Sequence, residues 1–308
     1  MNTLKRLMVG LDLTEMDETL IRYTAFLCRI SSIQKVYFIH TERSLDIHDD
    51  VFHDIDRQGL SAGEAIHTAI SDKVQPHFNN LPQVQLEIKV LEGSPLKELL
   101  HISKSEQIDL AVVGRKLRLK GSGLLSQKIV RNGRVSVLFV PENFEPKLKR
   151  AVISVDFSEY SMMAMERLLN SALVNPDLEL VCLHVYEVPT GYITLGISYE
   201  DFDRRMQGFA KEKFDQLLQR FPELKARTTL KLVKKHNDDD IGELIVLEAK
   251  RAKGDLLVVG AKGKTAAALF VVGSVTEKLM HYNDDMPLIV FKKKKEETGF
   301  LDALLGTD

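Results

Sequence analysis

Tryptophan is missing from this 308-residue chain, cysteine occurs only twice, and aromatic residues make up 7%. Cys28 and Cys182 lie far apart and show no metal-ligand spacing. Neither a disulfide framework nor a cysteine zinc site is indicated, and buried reduced thiols are expected. An excess of one charge is absent too: 42 Lys and Arg stand against 44 Asp and Glu, a formal net charge of −2. That balance argues against a general nucleic-acid binder. No apolar run approaches the length of a membrane span. The first thirteen residues carry a basic pair but no apolar core fit for a secretory signal, and Asp12 interrupts them. A cytoplasmic protein with no membrane or nucleic-acid partner is the expectation that remains. Its composition, 44% apolar and 28% charged, is that of a globular chain long enough for two domains.

One stretch organises the rest. Residues 256–259 (Leu-Leu-Val-Val) form a short apolar run with the character of a strand buried on both faces. Gly260 and Gly263 follow, where backbone can approach backbone or ligand with no Cβ in the way. Gly273 and Ser274 come ten residues later. Ser274 to Glu277 is a capping-box pattern, and Val275, Leu279 and Tyr282 then repeat at helical spacing. Strand, glycine loop and capped helix is the pattern, and a helix start suits a phosphate. It is not a Walker A loop. Gly263-Lys264-Thr265 would need a glycine at position 258, which is Val258. The pattern that fits is G-x2-G-x9-G-[ST].

The chain also repeats itself. Residues 6–11 followed by Asp12, and residues 151–155 followed by Asp156, are both strands ending in a carboxylate. That shift of 144 carries His40 onto His184, and a shift of 146 carries 109–114 onto 255–260. Landmarks in the same order predict a tandem duplication. Strands are predicted over 6–11, 35–40, 84–91, 109–114 and 136–140, with helices over 15–31, 56–78, 95–105 and 124–132. The second half gives strands over 150–155, 179–185, 229–235, 255–260 and 287–291, and helices over 158–174, 200–221, 241–253 and 274–282. Such alternation means α/β architecture with a mostly parallel sheet covered on both faces. Residues 141–149 form the linker. The expected division is a first domain over 1–143, a second over 148–292, and a tail over 293–308.

The glycine pattern, with the Ser-Val-Thr-Glu that follows, resembles the ATP-binding loop of the universal stress protein family, and each half resembles one domain of it. The resemblance implies two tandem doubly wound open sheets of order 3-2-1-4-5, packed as a pseudo-two-fold pair. In that order ligands bind where the chain reverses, between strands 1 and 4. Single-domain members often dimerise through the fifth strand. Residues 136–140 and 287–291 are therefore expected to pair within one chain, hiding two sheet edges. The resemblance further implies ATP, with Mg2+, as ligand. Asp156 would contact the adenosine end and Val185 would line the base pocket. Gly260 and Gly263 would let the loop wrap the phosphates, and Gly273, Ser274, Val275 and Thr276 would offer them amides and hydroxyls. Lys262 and Lys264 are candidates for added charge.

The first half departs from this pattern. Gly114 is retained, but Leu117 stands at the second glycine position and Leu124 where the other half has Ser274. The path from Gly114 to Gly123 is four residues shorter than that from Gly260 to Gly273. ATP is therefore expected in the second half alone. The degenerate loop is basic, with Arg115, Lys116, Arg118, Lys120, Lys128, Arg131 and Arg134 and no acid between Gly114 and Pro141. A solvated face is the expected reading, and a docking surface for an acidic partner the alternative.

Lesser candidates have bland readings. Residues 46–56 are rich in His and Asp, including His48 and His53, but nothing fixes a metal geometry, so no metal site is expected. Residues 237–240 put acids before a helix, which its dipole explains. His40 and His184 end apolar strands and read as structural. Residues 191–199 form an unusually apolar loop. The tail carries Phe300, Leu301, Leu304 and Leu305, a stripe too short to hold itself as a helix in water.

The function these readings support is an ATP-binding universal stress protein whose nucleotide is a regulatory or structural ligand. Two alternatives stand beside it: a nucleotide-independent protein-interaction module, and a slow ATPase. No catalytic residue is nominated, because hydrolysis needs a water-positioning group and none stands out. A nucleotidyl-transfer enzyme ranks last, since Asp12-Leu-Thr and Asp156-Phe-Ser replace a His-x-x-His signature. A homo-oligomer or a separate protein partner is left open.

Overall fold

Apolar β-branched runs set the strands, and the alternation of their side chains sets which layer each one feeds. In the first half β1 (Arg6–Leu11), β2 (Lys35–Glu42), β3 (Gln85–Glu92), β4 (Leu110–Arg115) and β5 (Ser136–Pro141) alternate with α1 (Met16–Ile30), α2 (Ala62–Phe78), α3 (Pro95–Ser105) and α4 (Leu124–Asn132). The second half contributes β6 (Arg150–Ser154), α5 (Glu159–Ala172), β7 (Glu179–Tyr186) and the short α6 (Gly191–Thr194), followed by α7 (Tyr199–Arg220). It ends with β8 (Thr228–Lys234), α8 (Ile241–Arg251), β9 (Leu256–Gly260), α9 (Ser274–Tyr282) and β10 (Leu288–Phe291). This computed structural model describes residues 4–44, 61–116, 124–142, 144–172, 177–263 and 272–293. The acidic-histidine stretch 46–56, Arg118, Lys120, Lys264 and residues 294–308 lie outside them.

The strands form one sheet in the order β3-β2-β1-β4-β5-β10-β9-β6-β7-β8. Each half has the order 3-2-1-4-5 expected from the sequence. The two sheets are continuous, because β5 and β10 pair antiparallel, with Val137 opposite Val290, Leu138 opposite Ile289 and Phe139 opposite Leu288. All other pairs are parallel. Parallel strands buried on both faces need apolar residues at every position. The four residues Leu110–Val113 and the five of β9 meet that demand. Leu7 and Val9 face the layer under α1, α2, α5 and α7, whereas Met8 between them faces the layer of α3, α4, α8 and α9.

Local details repeat from half to half at the shifts seen in the sequence. Asp109 accepts the amides of Lys5 and Arg6 at 2.9 Å, and Asp255 accepts those of Lys149 and Arg150 at 2.9 and 3.1 Å. His40 Nδ1 bonds the Leu11 carbonyl at 3.2 Å and His184 Nδ1 the Val155 carbonyl at 2.7 Å. A carbonyl only accepts, so Nδ1 carries the proton in each ring. Both histidines tie one strand end to its neighbour, which is the structural role anticipated for them. Leu13 and Phe157, each following the carboxylate after the half's first strand, adopt φ of 60° and 58°. Cys28 and Cys182 are free and buried, and burial pushes the Cys28 thiol up to about 12. Asp240 caps α8 by accepting the Gly242 and Glu243 amides at 2.8 and 3.3 Å.

Several expectations shift. The second helix starts at Ala62, set by a capping box between Ser61 and Glu64. Part of the apolar stretch 191–199 folds as α6. The largest change concerns the basic loop, expected as a solvated face. Arg115 is half-buried and reaches the other half, donating to the carbonyls of Met280 and His281 and to Asp284 Oδ1. Lys292 answers from the opposite side, donating to the carbonyls of Val130 and Gly133. Each half thus sends a cation to the carboxyl end of the other half's last helix, where free carbonyls and the dipole favour positive charge.

Replacing Arg115 by alanine leaves those carbonyls and Asp284 without their donor at a partly buried junction. A loss of about 2 kcal/mol is expected in urea unfolding. Arg131→Ala removes only an exposed pair with Glu277 and should cost less than about 1 kcal/mol.

Candidate functional site

The carboxyl ends of β6 and β9 bring together residues more than a hundred positions apart. β6 pairs with β9 through Ala151–Leu256, Val152–Leu257 and Ile153–Val258. Asp156, just past β6, and Gly260, at the end of β9, therefore leave adjacent strands side by side. The Val155 amide donates to the Leu183 carbonyl at 2.9 Å, which places Val185 on the other flank of the same crevice.

Asp156 Oδ1 accepts the Ser158 amide at 3.0 Å, holding the turn into α5. Its other oxygen faces the glycine loop: a Cβ on Gly263 would stand 2.8 Å from Asp156 Oδ2. Only a bare backbone fits so close to the carboxylate. Gly273 closes the loop at its far side, its amide donating to the Ala261 carbonyl at 2.8 Å. Thus Asp156, Gly263 and Gly273, which are separated in the sequence, lie against one another at one end of the sheet. Ser274 is exposed and Val275 half-buried.

Three details revise the roles expected. Gly260 has a packing reason of its own, because a Cβ there would lie 2.8 Å from the backbone carbon and oxygen of Tyr160 in α5. Gly114 meets α1 in the same way, with Met16 Cγ 2.6 Å from the Cβ position. This first glycine seats a helix on a strand in both halves, so its presence does not distinguish them. The Thr276 hydroxyl, expected to face phosphates, is buried and donates to the Gly260 carbonyl at 3.0 Å. The capping box anticipated at Ser274 does not form. Gly273 is the N-cap, with φ −66° and ψ 146°, and no side chain among the described residues caps α9. The N-cap position of α9 thus carries no side-chain oxygen.

Tyr160 was not singled out by sequence. Its ring lies 5.4 Å from Lys262 Nζ and 5.1 Å from Lys293 Nζ, so two cations flank the crevice around one aromatic face. The Phe157 and His184 rings meet at a tilt of 52° with centroids 4.8 Å apart, next to Asp156 at the β6 exit.

The first half closes the equivalent space. Lys116, the counterpart of Lys262, forms an ion pair with Asp12, the counterpart of Asp156. Burial by itself would raise the Asp12 pKa, but the hydrogen bonds from Lys116 and Thr14 hold it below its ordinary 3.8. What is left beside the pair is a mostly apolar cavity of about 190 Å3 lined by Met16, Leu20, Leu99 and Val113. Among the described residues no group of three or more His, Cys, Asp or Glu is placed to hold a metal ion, and no helix is long and apolar enough to cross a membrane.

Strand order defines an open, doubly wound α/β protein in which the order reverses between β6 and β9. A family model described as the universal stress protein family matches residues 147–290. A universal stress protein of Methanocaldococcus jannaschii is 28% identical over 155 residues, covering 50% of this chain and 88% of that protein. The family match lies in the C-terminal half, which is similar to the universal stress protein family. The fold of the whole chain is similar to two solved structures. One is a universal stress protein from Archaeoglobus fulgidus DSM 4304, with TM-score 0.61 and 14% identity over 94% of this chain and 98% of that one. The other is a protein of unknown function from Pseudomonas aeruginosa PAO1, with TM-score 0.65 and 10% identity over 94% and 93%. At such identities the likeness is one of fold.

Two outcomes check this geometry. Gly260→Ala drives a methyl into the Tyr160 backbone and should cost about 1–3 kcal/mol in thermal unfolding. Gly114→Ala, which meets a flexible methionine, should cost less. The lowered Asp12 pKa means that its contribution to stability is present above pH 3.8 and is lost as pH falls through the folded value. Acid titration of Lys116→Met should therefore lose that component of the pH dependence below pH 3.8 while the rest of the curve is retained.

Proposed function

We propose that this protein binds ATP, with Mg2+, in its C-terminal half, as a regulatory or structural ligand. The observation that carries the reading is the approach of Gly263 to Asp156, in a loop that Gly273, the N-cap of α9, closes on Ala261. Bare glycine backbone and free helix-start amides form a mouth suited to phosphate oxygens. Asp156 and Val185 lie on the adenosine side of this reading, and Gly263, Gly273, Ser274 and Val275 on the phosphate side. Gly260 and Thr276 support the site from behind, the one by seating α5 and the other by tying α9 to β9. Lys262 and Lys293 add positive potential. The residues fit a triphosphate better than a bare metal ion, since among the described residues no group of three or more metal-ligating side chains is present. Mg2+ would be held chiefly by phosphate and water oxygens, and it would neutralise phosphate charge.

The Asp12–Lys116 pair favours a single occupied half. The nucleotide acts in this reading by its differential affinity for two states of the protein, of which a stress-response partner would recognise one. The division into domains over 1–143 and 148–292, and a cytoplasmic location, belong to the same proposal. No described side chain stands as a water-positioning base, so binding without turnover is the preferred form.

Gentle purification of the full chain, followed by denaturation and identification of what is released, tests the reading. ATP at about one per chain is expected, as one helix mouth serves one triphosphate. Two per chain, or none after exchange against added ATP, would contradict it. Gly273→Val should abolish retention while the chain stays folded, because the Gly273 backbone lies in the extended region open to any residue. Phosphate release measured on the same sample separates a binder from a slow ATPase.

A further inference from the structure

Where the halves meet, the amino ends of β4 and β5 and the first turns of α5 enclose a groove of about 1140 Å3. Among the described residues five cations line it, Lys104, Arg134, Arg167, Arg220 and Lys293, against two acids, Glu159 and Glu166. Its apolar walls are Leu100, Met162, Met163 and Phe221, all half-buried. We propose that the chain's own segment 296–308 docks in this groove.

The first argument is the pseudo-two-fold relation of the halves. The residues 144 positions before Glu166 and Arg167 are Arg22 and Tyr23, and the linker lies across both. Phe144 packs on the Tyr23 ring at 6.0 Å, and Glu145 pairs with Arg22. Lys147 then reaches Asp255, the counterpart of Asp109, at 3.0 Å. The linker covers that side because it continues from β5. Lys292 and Lys293 continue from β10, the partner of β5, and Lys293 lines the open groove.

The second argument is position. Lys293 lines the groove and pairs with Glu159, so the segment begins at the groove's lip. Seven residues from there to Phe300 span at most about 25 Å. The third is chemistry. Residues 296–308 carry Glu296, Glu297, Asp302 and Asp308 and no cation, the reverse of the groove's charge. Phe300, Leu301, Leu304 and Leu305 supply an apolar stripe at helical spacing, which is too short to persist in water and gains order only against an apolar wall. The inference does not require nucleotide. It does place the segment next to Tyr160, the residue that Lys262 and Lys293 flank.

Hydrogen exchange on the full chain tests it. Amides of residues 299–306 should exchange at least about tenfold slower than in the same segment as a free peptide. In the double variant Leu301→Asp with Leu304→Asp, that protection should vanish together with part of the protection in Glu159–Arg167. High salt should weaken the docking, since opposite charges draw the segment in. Exchange at the free-peptide rate would overturn the proposal. So would protection that rises with protein concentration, which would assign the groove to a second copy, or a double variant that keeps the protection of the parent.

Discussion

The antiparallel pairing of β5 with β10 is the constraint on which the molecule depends. Two open five-stranded sheets each expose an edge whose amides and carbonyls need partners. Val137, Leu138 and Phe139 against Val290, Ile289 and Leu288 satisfy both edges at once. The pairing also fixes everything at the junction. It brings Arg115 to the end of α9 and Lys292 to the end of α4, and lays Arg167 against Ser136 at 2.9 Å with its guanidinium 5.7 Å from the Phe291 ring. These contacts follow from the antiparallel arrangement, which sets the carboxyl ends of one half's strands beside the amino ends of the other's.

Similar halves then diverge at one crevice each. Both keep the carboxylate after the first strand, the histidine that braces it and the glycine that seats the first helix. They differ in what faces the carboxylate. In the second half Gly263 approaches Asp156 with nothing but backbone, and the start of α9 is left without a side-chain cap. In the first half Lys116 turns into the crevice and neutralises Asp12. One lobe thus brings glycine backbone to its carboxylate, and the other brings a lysine. The same contrast recurs at the junction, where the linker covers one side and a cation-lined groove remains on the other.

Much of the fold was legible because the sequence repeats its landmarks. Asp12 and Asp156, His40 and His184, and Gly114 and Gly260 sit at nearly constant shifts, and five strands and four helices could be read around them in each half. The glycine loop was legible as a pattern, since Gly260, Gly263, Gly273 and Ser274 stand at a recognisable spacing. Roles within the pattern were less so. Thr276 follows a serine at a helix start, yet its hydroxyl points back to Gly260. Ser274 occupies a capping-box pattern, yet Gly273 provides the N-cap. Local spacing says which residues neighbour one another along a helix, but the direction of a hydroxyl depends on which carbonyl lies beneath it.

Sequence by itself determined the alternating α/β order, the twofold repeat and the weakened loop of the first half, because periodicity, glycine and charge act over a few residues at a time. Tertiary structure decided that Lys116 pairs with Asp12 in the first crevice, and that Arg115 belongs to the junction rather than to a solvated face. Those outcomes rest on contacts between residues more than a hundred positions apart. Such contacts exist only once parallel strands have been brought together by the burial of both faces of the sheet.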